Sequence, residues 1–179
     1  MILKMSDTIY IIEGPDGSGK STLSEKLKEK LNIPVKHFTY YKDKNEMTSQ
    51  FVRGHEMLSL MEDPIIFDRY ILSNIVYGIT FHNCEYVEGW LLWLTTMLSG
   101  VSVRKNIHLV FCLPEKTQWL KRYKHLCETR DEMYVDEDKM SKVYDLFLMF
   151  YEMICTNSNI KVTIIDPFVE PIEKILNHE

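Results

Sequence analysis

Short apolar runs alternate along the chain with segments in which apolar residues recur every three or four positions. The short runs are rich in β-branched and aromatic residues, which is the pattern of buried strands. They predict five strands, at residues 8–13, 35–40, 64–68, 107–113 and 161–166. The first of these runs, TIYIIE, is followed directly by a glycine.

The intervening segments have the spacing of amphipathic helices. After the first strand, leucines at 23, 27 and 31 recur every fourth residue, and the pattern stops at Asn32 and Pro34. Further helices are predicted at 47–61 with Gly54 as a weak point, from 70, at 85–98, 115–126 and 137–156, and from 169. Strands that alternate with helices predict an α/β fold, in which helices cover both faces of a five-stranded parallel sheet.

The composition fits one domain over residues 1–179, because 45% hydrophobic residues can build one substantial core. The net charge of -5 and the pI near 5.7 give no general attraction to a polyanion. Nucleic acid is therefore disfavoured as a partner. The four cysteines are scattered, which indicates reduced thiols rather than a zinc site or a disulfide framework.

No apolar run has the length of a membrane span, and the strongest, WLLWLTTML from Trp90, is far too short. The N-terminal MILKMSDTIY also lacks the apolar stretch of a signal peptide. We therefore expect a cytoplasmic protein without a membrane partner.

One glycine-rich stretch carries a specific chemical signal. The segment IIEGPDGSGKST, at residues 11–22, contains G-x-x-x-x-G-K-[ST] between a predicted strand and a predicted helix, the context of a phosphate-binding loop. Backbone N–H groups and the helix dipole would then face phosphate oxygens. Lys20 would contact the β and γ phosphates of ATP, and the Ser21 hydroxyl would bind Mg²⁺. The predicted ATP-binding residues are Gly14, Pro15, Asp16, Gly17, Ser18, Gly19, Lys20, Ser21 and Thr22.

A second motif follows the third predicted strand, which runs into Phe67-Asp68-Arg69-Tyr70. Ligands in parallel sheets lie beyond the carboxyl ends of the strands. A carboxylate there is well placed to hold Mg²⁺, and an arginine there can make a bidentate contact with an anion. The alternative is a structural ion pair at the strand end.

Together these motifs resemble those of one family. The order and spacing of EGPDGSGKST, DRYILSNIVYG, IHLVFCLPE, an arginine-bearing helix and KVTIID are similar to thymidylate kinase and its deoxynucleotide-kinase relatives. The match weakens over about residues 40–61. The resemblance implies a three-layer P-loop nucleoside triphosphate hydrolase-type fold, ATP-dependent and Mg²⁺-dependent phosphorylation of a deoxynucleoside monophosphate, and a homodimer. It favours a pyrimidine acceptor such as dTMP.

The resemblance also implies roles for particular residues. Arg69 would bind the phosphate of the acceptor, Asp68 would serve the metal, and Asp16 would accept a hydrogen bond from the sugar 3′-hydroxyl. Ser73 and Tyr77 are four positions apart, on one helix face beside the acceptor pocket. Tyr70 is also assigned to the acceptor side.

The polar stretch at 122–137 corresponds to the lid segment of this family. Positive charge is needed there because negative charge spreads over the transferring oxygens in the transition state. Some members carry that arginine in the glycine loop, where this chain has Gly17. The lid arginines are therefore assigned to catalysis, Arg130 first and Arg122 second. The predicted catalytic residues are Lys20, Arg69, Arg122 and Arg130.

The chain departs from the family where the base is recognised. HFTYYKDKNE replaces the usual Arg-Glu-Pro segment, Gly78 replaces a polar residue, and the usual Ala-Asp-Arg helix is absent. Aromatic rings stack on bases, but such side chains are more often core or surface. The candidates for contacts with the base are Phe51, Arg53, Phe81 and Trp90.

Two other functions stay open. A deoxynucleoside kinase phosphorylates a neutral 5′-hydroxyl, which benefits from a general base. Such kinases place a glutamate at the end of the second strand, whereas this chain has Tyr-Tyr and no carboxylate before Asp43, which favours a monophosphate. A base stays open as an alternative, because Asp43, Glu46 or Glu13 could reach the site. The other alternative, a nucleotide-binding switch or regulatory module, needs no second phosphate clamp.

Overall fold

The computed structural model describes residues 8–38, 44–60, 63–82, 87–102, 106–130, 136–157 and 160–176. One parallel sheet has the strand order β2-β3-β1-β4-β5. The central β1 pairs with β3 on one side and with β4 on the other. The strands are β1 (Thr8–Glu13), β2 (Val35–His37), β3 (Ile65–Asp68), β4 (Asn106–Cys112) and β5 (Lys161–Ile165). The predicted five-stranded parallel sheet is confirmed.

The helices lie on both faces of this sheet. They are α1 (Lys20–Leu31), α2 (Lys44–Leu60), α3 (Ile71–His82), α4 (Val87–Ser102), α5 (Lys116–Arg130), α6 (Glu137–Asn157) and α7 (Glu173–Leu176). Because side chains alternate along a strand, β1 contributes to two cores. Ile9 and Ile11 pack in the core shared with α2 to α6, and Tyr10 and Ile12 pack in the core shared with α1 and α7. The result is the predicted three-layer architecture.

The limits of α1 follow from local signals. Its first residue, Lys20, comes directly after Gly19, which has a left-handed φ of 88°. At the other end, Asn32 has a φ of 54° and donates its N–H to the carbonyl of Lys28 over 2.8 Å. This is the left-handed cap that ends many helices. The predicted stop at Asn32 is confirmed.

The limits of three predicted elements need correction. The helix predicted at 115–126 begins at Lys116 and continues to Arg130, so it includes residues 122–130 of the predicted lid segment; residues 131–135 of that segment lie outside the described residues. The closing helix begins at Glu173 rather than at 169, because the N–H groups of Val169 and Glu170 both bond to the carbonyl of Asp166 in a turn. Strand β2 ends at His37, before the Tyr-Tyr pair that was predicted to end it.

Among the described helices, none combines the length and the apolar character needed to cross a membrane. Three cysteines within the described ranges have free thiols. Cys112 and Cys127 are buried and Cys155 is exposed, whereas Cys84 lies outside the described residues.

Candidate active site

The loop between β1 and α1 depends on its glycines. Gly14, Gly17 and Gly19 have φ values of 145°, 73° and 88°, a region that side chains with a Cβ disfavour. Space also excludes a side chain at the first of them, since a Cβ on Gly14 would lie 2.4 Å from the backbone oxygen of Cys112. The loop therefore turns tightly at the carboxyl edge of the sheet, as predicted for a phosphate-binding loop.

Lys20 is buried at the end of this loop. Its ammonium group donates to the carbonyl oxygen of Pro15 over 2.5 Å, so the side chain folds back across the loop. Burial, followed by the positive charge of Arg69, lowers the pKa of Lys20 to about 8. Ser21 and Thr22 are exposed in the first turn of α1. The loop thus presents one ammonium group and the free N-terminus of a helix on the same side, which suits a polyphosphate.

Two aromatic residues hold the backbone of Asp16. Its N–H donates to the Tyr77 hydroxyl over 3.0 Å, and its carbonyl accepts the indole N–H of Trp119 over 2.7 Å. The Asp16 side chain faces Arg69, with which it forms a hydrogen-bonded ion pair. Burial would raise the pKa of Asp16, but the charges of Arg69 and Lys20 lower it overall. Asp16 is therefore an ionised residue with a defined orientation.

Arg69 follows the last residue of β3 and has a left-handed φ of 70°. Its N–H donates to the carbonyl of Ile12 over 2.9 Å, and its guanidinium reaches Asp16 and, at 3.5 Å, the Ser73 hydroxyl. Burial would lower the pKa of Arg69, but the neighbouring Asp16 raises it overall. The sequence motif thus places a permanent cation next to the glycine loop.

Asp68, at the end of β3, is buried and in register with Ile12 and with His37. Its Oδ2 lies 3.0 Å from Nδ1 of His37, and its Oδ1 has no partner among the described residues. Mg²⁺ takes oxygen ligands, commonly one or two from the protein together with substrate phosphates. The unpartnered Oδ1 of Asp68 and the exposed hydroxyl of Ser21 are oxygen ligands of this kind, so the chemistry of these two side chains fits a Mg²⁺ ion.

Two cavities open at this edge of the sheet. The larger, about 740 Å³, runs along the glycine loop and α1 to α5, and the smaller, about 160 Å³, lies between the ends of β2 and β3 and the start of α3. Three residues line both: Asp16, His37 and Arg69. The larger cavity is also lined by Gly17, Gly19, Lys20, Ser21, Thr22 and Arg122, and the smaller by Tyr70, Ser73 and Tyr77. Most of the predicted site residues are therefore brought together.

Of the two predicted lid arginines, the structure describes the side chain of Arg122. The Arg122 guanidinium lies 4.1 Å from the ring centre of Phe168, in the loop after β5, and this ring comes close to Gly19. Arg130 is the last residue of α5, and its side chain lies outside the described residues.

Two of the four predicted base contacts, Arg53 and Phe81, have described side chains, and neither lines either cavity. Arg53 is exposed on α2. Phe81 is half-buried and stacks on Tyr77 with ring centres 6.0 Å apart. The side chains of Phe51 and Trp90 lie outside the described residues.

Sequence reasoning missed three residues that line the smaller cavity: His37, Phe38 and Asn74. The rule that ligands bind beyond the carboxyl ends of parallel strands would have pointed to His37 and Phe38, had the end of β2 been placed correctly. Glu13, one of the carboxylates that the sequence left open as a base, is completely buried and lines neither cavity.

Comparison with solved structures finds a similar fold in several kinases. The chain is similar to YorR from Bacillus subtilis, in complex with phosphorylated GDP, with 18% identity, a TM-score of 0.65, and coverage of 94% of this chain and 91% of that one. It is also similar to deoxyadenosine kinase from M. mycoides with the products dCMP and dCDP, with 18% identity, a TM-score of 0.61, and coverage of 94% and 96%. For polyphosphate kinase 2 from Arthrobacter aurescens TC1 the identity is 11%, the TM-score 0.67, and the coverage 94% and 64%. At these identities the likeness is one of fold.

Sequence comparison adds a partial relative. The chain is 36% identical over 79 residues to the SPbeta prophage-derived uncharacterized protein YorR of Bacillus subtilis (strain 168). The match covers 42% of this chain and 46% of that protein, less than half of its length. No family model matches. The comparisons thus support a P-loop kinase fold, whereas the narrower resemblance to thymidylate kinase rests on the sequence motifs.

Proposed function

We propose that the protein transfers the γ-phosphoryl group of ATP to a deoxynucleoside monophosphate. One observation carries this proposal: Arg69 and Asp16, hydrogen-bonded to each other, line both the cavity along the glycine loop and the smaller cavity next to it. A donor phosphate in the first cavity and an acceptor in the second would meet at this pair. Two adjoining sites with a cation between them are what phosphoryl transfer between two nucleotides requires.

On the donor side, Lys20 and the N-terminus of α1 bind the β and γ phosphates of ATP. Lys20 would leave its bond to Pro15 and turn to the phosphates, and their charge would keep the ammonium protonated. Ser21 and Asp68 would hold Mg²⁺, which screens the charge of the phosphates and orients them when bound. Arg130 would bring positive charge to the transferring group from the end of α5.

On the acceptor side, Arg69 binds the monophosphate and Asp16 accepts from the sugar 3′-hydroxyl. The backbone of Asp16 is held by Tyr77 and Trp119, so its carboxylate keeps its place when Arg69 turns to the incoming phosphate. Ser73 and Tyr70 line the same cavity. The acceptor phosphate is already an anion, so alignment and charge neutralisation are sufficient for attack. A pyrimidine such as dTMP stays the expected base, on the strength of the family resemblance.

One observation favours a nucleoside acceptor as the second candidate. The guanidinium of Arg69 is already paired with a carboxylate, and this pair is close to neutral overall. A monophosphate must displace Asp16 from Arg69 to gain the full benefit of its charge, whereas a neutral 5′-hydroxyl need not. Because the ion pair is compatible with either acceptor, a direct assay has to distinguish a monophosphate from a nucleoside.

The acceptor is identified by incubating the protein with γ-labelled ATP, Mg²⁺ and a panel of deoxynucleosides and their monophosphates. We expect labelled diphosphates from one or more monophosphates, and no label transfer by a Lys20→Ala variant. Labelled monophosphate from a nucleoside, with inert monophosphates, would establish the second candidate instead. Slow ATP hydrolysis without any labelled acceptor would favour a nucleotide-binding switch.

A further inference from the structure

Glu13, the last residue of β1, is completely buried, yet it lines neither cavity. A buried carboxyl group is costly unless its oxygens are hydrogen-bonded. Both oxygens of Glu13 are used: Oε1 accepts the N–H of Tyr70 over 2.9 Å and that of Ser73 over 3.2 Å, and Oε2 accepts the Ser73 hydroxyl. All three donors lie between the end of β3 and the first turn of α3.

Through these hydrogen bonds Glu13, on β1, caps the N-terminus of α3. The first N–H groups of a helix have no acceptor within the helix, and a carboxyl group is a favourable partner for them. α3 begins at Ile71, so the N–H groups of Tyr70 and Ser73 are of this kind. Glu13 thus joins the start of α3 to the central strand of the sheet.

Directly before these anchored groups lies Arg69, in a left-handed conformation that is unfavourable for a residue other than glycine. Its own N–H is bonded to Ile12 and the next N–H is bonded to Glu13, so β1 holds the backbone on both sides of the strained residue. The side chain is tied to the same group, because the Arg69 guanidinium donates to the Ser73 hydroxyl, which donates to Glu13. Backbone and guanidinium of Arg69 therefore depend on one buried carboxyl group.

We propose that Glu13 is a positioning residue that holds Arg69 at the wall between the two cavities, and so governs binding of the acceptor without touching it. This inference rests on the proposed function for its kinetic consequence, whereas its structural consequence can be measured without any turnover. Glu13→Gln replaces one acceptor oxygen by an N–H₂ group that faces donors, so the turn loses part of its anchor.

The test compares Glu13→Gln with the wild type and with His108→Gln. His108 is a matched control because it is also buried in the sheet and bonded there, to Thr163 over 2.8 Å, but it lies away from Arg69. For Glu13→Gln we expect the KM of the acceptor to rise about tenfold or more, with the KM of ATP unchanged. His108→Gln should lose stability and keep both constants. Should Glu13→Gln fail to fold, Glu13→Asp keeps both carboxyl oxygens, shortens their reach and is read in the same way.

The second readout is the ¹⁵N relaxation of the Arg69 side-chain Nε, assigned by the loss of its signal in Arg69→Lys. We expect this group to be ordered in the wild type and in His108→Gln, and to gain motion in Glu13→Gln. An equally ordered Arg69 in Glu13→Gln would overturn the proposal, as would equal increases in the KM of acceptor and ATP. If the wild type phosphorylates no acceptor, the proposed function fails, and the order of the Arg69 side chain alone decides the role of Glu13.

Discussion

The indole N–H of Trp119 on α5 donates a hydrogen bond of 2.7 Å to the backbone carbonyl of Asp16 in the glycine loop. Trp119 is wholly buried, and its ring packs on Tyr123 and Tyr144 with ring centres 6.0 and 5.3 Å apart. The helix that carries both predicted lid arginines, α5, is therefore attached to the glycine loop. The position of α5 and the geometry of the loop are coupled through this contact.

A Trp119→Phe variant keeps an aromatic ring and removes the donor. We expect the free energy of unfolding to fall by about 1–3 kcal/mol, since a smaller ring leaves space and the part-buried carbonyl of Asp16 loses its partner. Chemical denaturation followed by circular dichroism measures this change. A variant as stable as the wild type would show that the bond contributes nothing net.

Lys20→Ala should weaken ATP binding about a hundredfold, because the phosphates lose a charged donor in a buried setting. The variant should fold at least as well as the wild type, since burial already lowers the pKa of Lys20 to about 8 and the ammonium group is costly there. Lys28→Ala is the control, because Lys28 is exposed on the same helix and pairs with Glu25. Titration calorimetry with ATP separates the two, and unaltered affinity in Lys20→Ala would remove the loop assignment.

Gly14→Ala and Gly17→Ala should reduce the stability of the protein by different amounts. Both have positive φ values, but a Cβ at Gly14 would lie 2.4 Å from a backbone oxygen, whereas a Cβ at Gly17 would meet its nearest neighbour, Leu126, at 3.6 Å. We expect Gly17→Ala to lose about 1–2 kcal/mol of stability from the left-handed conformation alone. Gly14→Ala should lose clearly more stability, because the backbone at Cys112 or at the loop has to move. Thermal unfolding of both variants provides the comparison, and equal losses would contradict the steric argument.

Arg122→Ala and Arg130→Ala should have separable kinetic effects. Arg122 lies on the Phe168 ring beside the glycine loop, so its loss should raise the KM of ATP about tenfold with a small effect on kcat. Arg130→Ala should instead lower kcat on the order of a thousandfold without weakening ATP binding. Steady-state kinetics with ATP varied tests both. Unchanged turnover in Arg130→Ala would exclude Arg130 from catalysis.

The stability of the protein should carry a pH signature of Glu13. Burial, outweighing the hydrogen bonds from Ser73 and Tyr70 and the charge of Arg69, raises the pKa of Glu13 above its ordinary 4.5. Between these two pKa values the folded state binds more protons than the unfolded state. The contribution of Glu13 to the free energy of unfolding is therefore fully present below pH 4.5 and is lost as pH rises through the folded pKa.

This signature is isolated by subtracting the unfolding free energies of Glu13→Gln from those of the wild type at a series of pH values from 4.5 to neutrality. The other carboxyl groups cancel in the difference. We expect the advantage of the wild type to shrink as pH rises. A difference that stays constant or grows over this range would contradict a raised pKa.

Local patterns in the sequence were sufficient to predict the sheet and the glycine loop. The run TIYIIE and the glycines that follow it gave β1, the turn and the start of α1 to within one residue. The ends of elements were less predictable: α5 continues to Arg130 although its last turns are polar, because Tyr123 and Cys127 still face the core.

The sequence by itself determined the order of strands and helices and the glycine loop, because strand and helix periodicity and left-handed glycines are properties of neighbouring residues. The tertiary structure alone decided how the site is held. Arg69 meets Asp16 across 53 positions, Glu13 meets Tyr70 across 57, and Trp119 meets Asp16 across 103. Such contacts depend on which strands become neighbours and where each helix packs. The orientation of the residues between the two cavities therefore follows from the packing of the whole sheet.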